Sequence, residues 1–236
     1  MVVRPCAGTV AEGGSSMAEG YRTVYIGGQG EIVEKKSRFI ATVRPVKTEQ
    51  EAVAFVEEMR KKYWDARHNC HAFTIGKNRE CTRCSDDGEP SGTAGRPMLD
   101  VLLGQDLHDT AVVVTRYFGG VLLGTGGLVR AYSAAVQAGL NESTIIEKKT
   151  GSMLRIDTDY SGLGKIQYLA GERGIPVLDT AYTDRVSMYL LVPSDLEGSF
   201  VKAVTEGTSG RAVIEKEKDL CYAMIDGKAE VFEEGV

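Results

Sequence analysis

Ser85-Asp86-Asp87-Gly88-Glu89-Pro90-Ser91-Gly92-Thr93-Ala94-Gly95-Arg96-Pro97 is a run of carboxylates, hydroxyls and glycines that ends on an arginine and a proline. Ionised carboxylates are costly to bury without partners, so the run does not read as a core segment. Its glycines permit backbone shapes that other residues resist. Proline lacks a backbone N–H and suits only the first turn of a helix, so Pro97 fits a short helix over residues 94–103. The expectation is an exposed, tightly turned polar loop entering a helix, a kind of segment that often carries function.

A second unusual run follows, Arg116-Tyr117-Phe118-Gly119-Gly120-Val121-Leu122-Leu123-Gly124-Thr125-Gly126-Gly127-Leu128-Val129-Arg130-Ala131-Tyr132-Ser133. Together the two runs resemble the YigZ/IMPACT family, whose pattern reads SDDGEPxGTAGxPxL, then a strand, then RYFGGxxLGxGGLxRAY. Every typed position is matched, and the match is long, contiguous and ordered. His68 and Cys70 fit the family's usual HxC strand. The resemblance implies an α+β protein of two domains. Residues 21–145 would form an N-terminal α/β sandwich similar to the fold shared by GHMP kinases and the second domain of a ribosomal protein. Residues 146–236 would form a ferredoxin-like βαββαβ domain similar to the last domain of elongation factor G. The eukaryotic members regulate translation by competing for the co-activator of a stress kinase, so the resemblance also implies a regulatory role.

The hydrophobic periodicity agrees with that division. Residues 21–26 and 31–46 are strand-like, the latter broken by Glu34-Lys35-Lys36. Thr48 and Glu51 form a capping box that opens a helix to about residue 63, with Val53, Phe55, Val56 and Met59 as its apolar stripe. Residues 68–75 alternate as a strand, residues 110–115 read as a buried β-branched strand, and a helix runs over about 127–140. Beyond a composition shift at 142–150 the reading is strand 151–158, helix 161–173, strands 175–182 and 185–192, helix 194–206 and strand 210–219, the ferredoxin-like order. Residues 221–236 would add a strand or a loose tail. Residues 1–20, rich in Gly, Ser and Ala, read as a disordered leader, with Met17 as an alternative start.

Composition narrows the function classes. The 236 residues suit two domains, and no apolar run approaches a membrane span. The N-terminus shows no secretory h-region and the five cysteines are an odd number, so a cytoplasmic protein without a disulfide framework is expected. Residues 1–145 carry 17 basic and 17 acidic residues, and residues 146–236 carry 11 and 16. Bulk attraction to nucleic acid is therefore not expected, nor sequence readout of DNA. A local basic face remains open through Arg60, Lys61, Lys62, Arg67, Arg79, Arg83, Arg96, Arg116 and Arg130.

The first loop offers two chemistries. Asp86, Asp87 and Glu89 are hard oxygen donors suited to Mg²⁺, while Ser91, Thr93 and the amides at Gly92–Gly95 suit a phosphate at a helix start. The alternative is a helix entry in which Asp86 or Asp87 accepts backbone N–H bonds and Glu89 sits in solvent. No histidine or lysine is adjacent in sequence to serve as base or phosphate clamp. The second loop mimics a Walker A start, but Thr125-Gly126 stands where the lysine should be, and Val129 replaces the third glycine of a dinucleotide fingerprint. What remains is a glycine turn entering a helix, with Tyr117, Gly124, Gly126 and Gly127 as anion-binding candidates. Arg116 and Arg130 flank it, facing either phosphate or the carboxylates of the first loop. His68 is a further partner for the acidic loop. His68, Cys70, Cys81 and Cys84 also supply four ligand types suited to Zn²⁺, though not at a standard finger spacing; otherwise Cys70 is a core residue and Cys81 and Cys84 are ordinary loop thiols. Tyr63, Trp64, Arg67, Tyr117, Phe118 and Arg130 hint at a stacking surface for nucleic acid. The expectation is a non-enzymatic binding protein, a translation regulator or a ribosome- or RNA-associated factor. The alternative is a Mg²⁺-dependent phosphate- or nucleotide-handling enzyme.

Overall fold

The structure is a computed structural model and describes residues 20–232. The leader expected over residues 1–20 lies outside the described residues except for Gly20. The chain forms two compact units, a two-domain α+β architecture. One unit holds Gly20–Lys149 together with the described residues from Cys221 onward, and the other holds Thr150–Leu220.

The first unit begins with β1 (Tyr21–Ile26), β2 (Gln29–Glu34), β3 (Ser37–Pro45) and α1 (Glu49–Lys62). It continues through β4 (His68–Ile75), β5 (Cys81–Ser85), α2 (Gly95–Gly104), β6 (Leu107–His108), β7 (Thr110–Tyr117) and α3 (Thr125–Asn141). Five strands make one sheet in the order β2-β3-β7-β4-β5, every neighbouring pair antiparallel. Alternation along the strands serves two cores. Phe73, Ile75, Ala111 and Val113 meet Phe55, Val56 and Met59 of α1. Cys70, Ala72, Val112 and Val114 face the other way, onto Met98 and Leu102 of α2 and Leu128, Tyr132 and Val136 of α3. Both faces of this sheet are therefore covered, which is why β7 reads as a continuous apolar run.

The strand β8 (Thr144–Thr158) gives residues 144–148 to pairing with β1 and residues 151–158 to pairing with β10. The second unit then follows with α4 (Tyr160–Glu172), β9 (Val177–Tyr182), β10 (Val186–Pro193), α5 (Glu197–Gly207) and β11 (Val213–Ile225). Its strand order, β11-β8-β10-β9, is the ferredoxin-like arrangement read from the periodicity. Leu154, Ile156, Val186, Met188 and Leu190 bury against Ile166 and Leu169 of α4 and Phe200 and Val204 of α5.

Two strands escape sequence reading. β5 is Cys-Thr-Arg-Cys-Ser, mostly exposed and hydrogen-bonded along its backbone to β4 alone among the strands, so it carries no apolar alternation. β6 has two residues. The C-terminal residues also differ from the expected grouping. Residues 221–225 of β11 pair with β12 (Lys228–Phe232), and this hairpin groups with the first unit, not with 146–220. Phe232 sits edge-on to Tyr25 at 6.1 Å, and the Tyr25 hydroxyl donates to Glu230 at 2.9 Å.

The cap of α1 is as expected at its centre and shifted at its edge. Thr48 Oγ1 accepts the Glu51 amide at 3.2 Å, while the Glu51 carboxylate reaches back to the amide of Lys47 at 2.7 Å. Replacing Thr48 by Ala is expected to cost about 1 kcal/mol in urea denaturation, the ordinary loss for a capping hydroxyl.

Candidate functional site

The two glycine-rich runs meet over one end of the α2/α3 core, and a buried ion pair joins them. Arg116 is the penultimate residue of β7 and shares the face of Val112 and Val114, so its side chain enters the space beneath α3. There its guanidinium donates to Glu89 Oε1 at 2.6 Å. The Tyr132 hydroxyl of α3 donates to the same oxygen at 2.9 Å. Arg116 is 7% exposed, Glu89 8% and Tyr132 not at all. The Phe39 ring, cross-strand from Arg116, and the Phe118 ring both lie against the guanidinium.

The neighbouring carboxylates are also committed to the protein. Asp86 accepts backbone amides from Gly92 at 2.8 Å and from Ala94 and Gly95 at 2.9 Å each. Its carboxylate therefore occupies the start of α2, where the helix dipole favours negative charge. Asp87 accepts the Asn69 amide at 2.7 Å and the Arg60 guanidinium at 2.8 Å. Its carbonyl accepts His68 Nδ1 at 2.9 Å, which fixes the proton on that nitrogen. The Asp86 carbonyl accepts the Cys70 thiol at 2.9 Å.

These contacts correct several expectations. Glu89 does not sit in solvent; it is the most buried of the three carboxylates, because Arg116 and Tyr132 satisfy it below the loop. Asp86, Asp87 and Glu89 do not converge as a Mg²⁺ cage, since each is turned toward a different set of protein donors. The phosphate position at the start of α2 is filled by the chain's own carboxylate. Among the described residues no three His, Cys, Asp or Glu side chains gather at metal-binding distance. For the zinc set the reason is strand parity: Cys84 pairs with Ala72 on the α2/α3 side, whereas Cys81 pairs with Ile75 and joins the α1 core.

The remaining candidates separate into inner and outer groups. Thr93 is buried and donates to the Pro90 carbonyl at 2.7 Å. Ser91 is exposed, and Arg96 is exposed and paired with Asp100 at 2.7 Å. Tyr117 donates to Asp65 at 2.8 Å. Gly124 precedes α3 with φ of 73°, and no side chain caps that helix start. Gly126 and Gly127 lie in its first turn, and Arg130 is exposed one turn further on. Gly119 is required by close approach, because a Cβ there would lie 2.0 Å from the Lys36 carbonyl carbon.

Sequence reasoning missed Tyr132, Ser37, Asn69 and Arg60 as members of this network. Tyr132 had a usable signal: it falls on the apolar stripe of Leu128, Ala131 and Ala135, and a tyrosine placed there needs a partner for its hydroxyl. Ser37 accepts the Gly119 amide at 3.2 Å, and Asn69 Oδ1 accepts the Thr115 hydroxyl at 2.7 Å, pairings set by sheet register alone. Burial pushes the Cys70 thiol and the Tyr132 phenol well above their ordinary ranges. Both are therefore neutral, hydrogen-bonding groups.

The class thus defined is a two-domain α+β protein whose glycine-rich loops are fastened over a buried Arg-Glu-Tyr cluster. Family models match in both parts, the Impact N-terminal domain over residues 35–140 and a domain of unknown function, DUF1949, over residues 156–211. The IMPACT family member YvyE of Bacillus subtilis is 44% identical over 206 residues, spanning 87% of this chain and 94% of that protein. The IMPACT family member YigZ of Escherichia coli is 36% identical over 178 residues, 75% of this chain and 87% of that one. The chain belongs to the IMPACT family. Protein IMPACT-A of Xenopus tropicalis is 35% identical over 98 residues, which are 30% of that protein. A crystal structure described only as that of a hypothetical protein superposes with a TM-score of 0.54 at 32% identity, covering 85% of this chain and 99% of that one.

Glu89→Gln is expected to destabilise the protein by about 3–5 kcal/mol in urea denaturation, because it leaves the buried Arg116 charge without its counter-ion. Tyr132→Phe, which removes one hydrogen bond to the charged carboxylate, is expected to cost about 2 kcal/mol. In native protein, iodoacetamide is expected to label the exposed Cys84 and to spare Cys70, as read by peptide mass mapping; labelling of Cys70 at the same rate would contradict its burial.

Proposed function

We propose that this chain is a non-enzymatic binding protein of the cytoplasm that acts on the translation machinery, as a regulator or a ribosome- or RNA-associated factor. The observation that carries the reading is the internal use of the family's charged motif. Glu89 and Arg116 hold each other with Tyr132, Asp86 holds backbone amides, and Asp87 holds an amide and Arg60, and so all four serve to shape the loops. A metal-assisted phosphate reaction would need the same oxygens turned toward a ligand. What the loops offer to a partner is their outer rim, where Phe118, Leu122 and Arg130 are exposed. Kinship with the eukaryotic IMPACT proteins, resembled here as translational regulators, supports the direction of the reading. Among the described residues no helix is long and apolar enough to cross a membrane.

Co-sedimentation through a sucrose cushion tests this. The full chain is expected to pellet with ribosomes, and Arg130→Glu is expected to reduce the bound fraction on the order of tenfold by reversing one contact charge. Absence from the ribosomal pellet, together with a rise in melting temperature on adding Mg²⁺ and nucleotide that Asp87→Asn abolishes, would replace it with the phosphate-handling enzyme.

A further inference from the structure

Seven arginines of the first unit are neutralised by carboxylates, and several of its other cations are not. Arg38, Arg44, Arg60, Arg79, Arg83, Arg96 and Arg116 are each engaged by a carboxylate. Lys35, Lys36, Arg67 and Arg130 are exposed, and among the described residues none of these four side chains has a hydrogen-bond or ion-pair partner.

The fold brings these four to one end of the five-stranded sheet. Lys35 and Lys36 form the turn between β2 and β3. The start of β3 is paired with the end of β7, Arg38 opposite Tyr117, and the start of β4 is paired beside it, His68 opposite Arg116. Arg67 immediately precedes β4. Phe118 and Gly119 continue from β7, and Gly119 lies against the backbone of Lys36. Lys35 and Arg130 line one groove of about 250 Å³, floored by Ile32, Leu123 and Ala131.

Two aromatic rings stand exposed at the same end, Phe118 with one face against the Arg116 guanidinium and the other turned outward. Trp64, three residues before Arg67, is 83% exposed, and Phe118 is 52% exposed. A large ring held in water beside unpaired cations is what a stacking platform with a phosphate track requires. The counter-charges at this end are Glu34, next to Lys35, Asp65, whose carboxylate is already held by Tyr117, and the acidic loop, whose Asp86, Asp87 and Glu89 are held by backbone amides, Arg60 and Arg116.

We propose that this end of the first unit binds single-stranded RNA, with bases stacked on Trp64 and Phe118 and phosphates on Lys35, Lys36, Arg67 and Arg130. This deepens the reading of a translation-associated factor and rests on it for biological setting. Charge complementarity selects a polyanion, and the exposed ring faces select unpaired bases over a duplex, whose base faces are already stacked. The attraction is local, since the chain as a whole carries a net charge of −5.

Fluorescence anisotropy of the full chain with a labelled oligouridine of about twelve nucleotides, a length within the range of single-strand sites, tests the proposal. The matching RNA duplex and a labelled polyglutamate of similar charge are run beside it. Four phosphate contacts on a single strand are expected to give a slope of log affinity against log salt near ~−3. Trp64→Ala is expected to weaken binding about tenfold, the loss of one stacked base. The double variant Lys36→Ala, Arg130→Ala is expected to flatten the slope by about 1.4. Unchanged melting temperatures show that the variants, all at exposed positions, still fold.

Equal affinity for duplex or polyglutamate, an unaffected Trp64→Ala, or no binding at low salt would each overturn the proposal. If oligouridine fails to bind while the chain still pellets with ribosomes, only this proposal falls. If the chain does neither, the reading of a translation-associated factor falls with it.

Discussion

The hydrogen-bonded ion pair between Arg116 and Glu89 is the constraint on which both glycine-rich loops depend. Two opposite charges in a nearly dry space are tolerable only when held close and hydrogen-bonded, because desolvation opposes each of them. That requirement fixes the position of Glu89 beneath its loop, and Tyr132 adds a second donor from α3. The pair thereby links β7, the acidic loop and α3. A loop anchored from below in this way can present its upper edge in one shape.

The rest of the acidic loop follows the same logic by different means. Asp86 supplies the negative charge at the start of α2, and Asp87 bridges the amide of β4 to Arg60 of α1. Three consecutive-looking carboxylates thus perform three unrelated positioning tasks. Their density, which suggests a metal site on paper, reflects three separate donor sets reached from one tight turn. Asp87 and Gly88 both adopt positive φ, and that turn is what points the carboxylates apart.

Once its charges are committed inward, the end of the sheet is defined by what is left outside. The unpaired cations Lys35, Lys36, Arg67 and Arg130 come from the β2–β3 turn, the approach to β4 and the second turn of α3, segments far apart in sequence. Exposed Trp64 shares the approach to β4 with Arg67, and exposed Phe118 follows β7. Strand register brings these segments to the same end, so a surface of basic and aromatic character forms on a chain whose overall charge is acidic.

The sequence alone determined the family, the two-domain α+β plan and the βαββαβ order, because these rest on contiguous motifs and on periodicities set by local geometry. It also marked Thr48 as a cap and β7 as a buried strand. β5 was not legible, since a mostly exposed edge strand carries no apolar pattern, and neither was the grouping of the β12 hairpin with the first unit. The inward or outward sense of each charged residue was likewise undetermined. Glu89 and Glu34 are the same side chain in sequence; one is buried and the other exposed because only one is placed where Arg116 and Tyr132 can satisfy it. Partner geometry between distant residues sets the cost of burying a charge, and only the tertiary structure supplies that geometry.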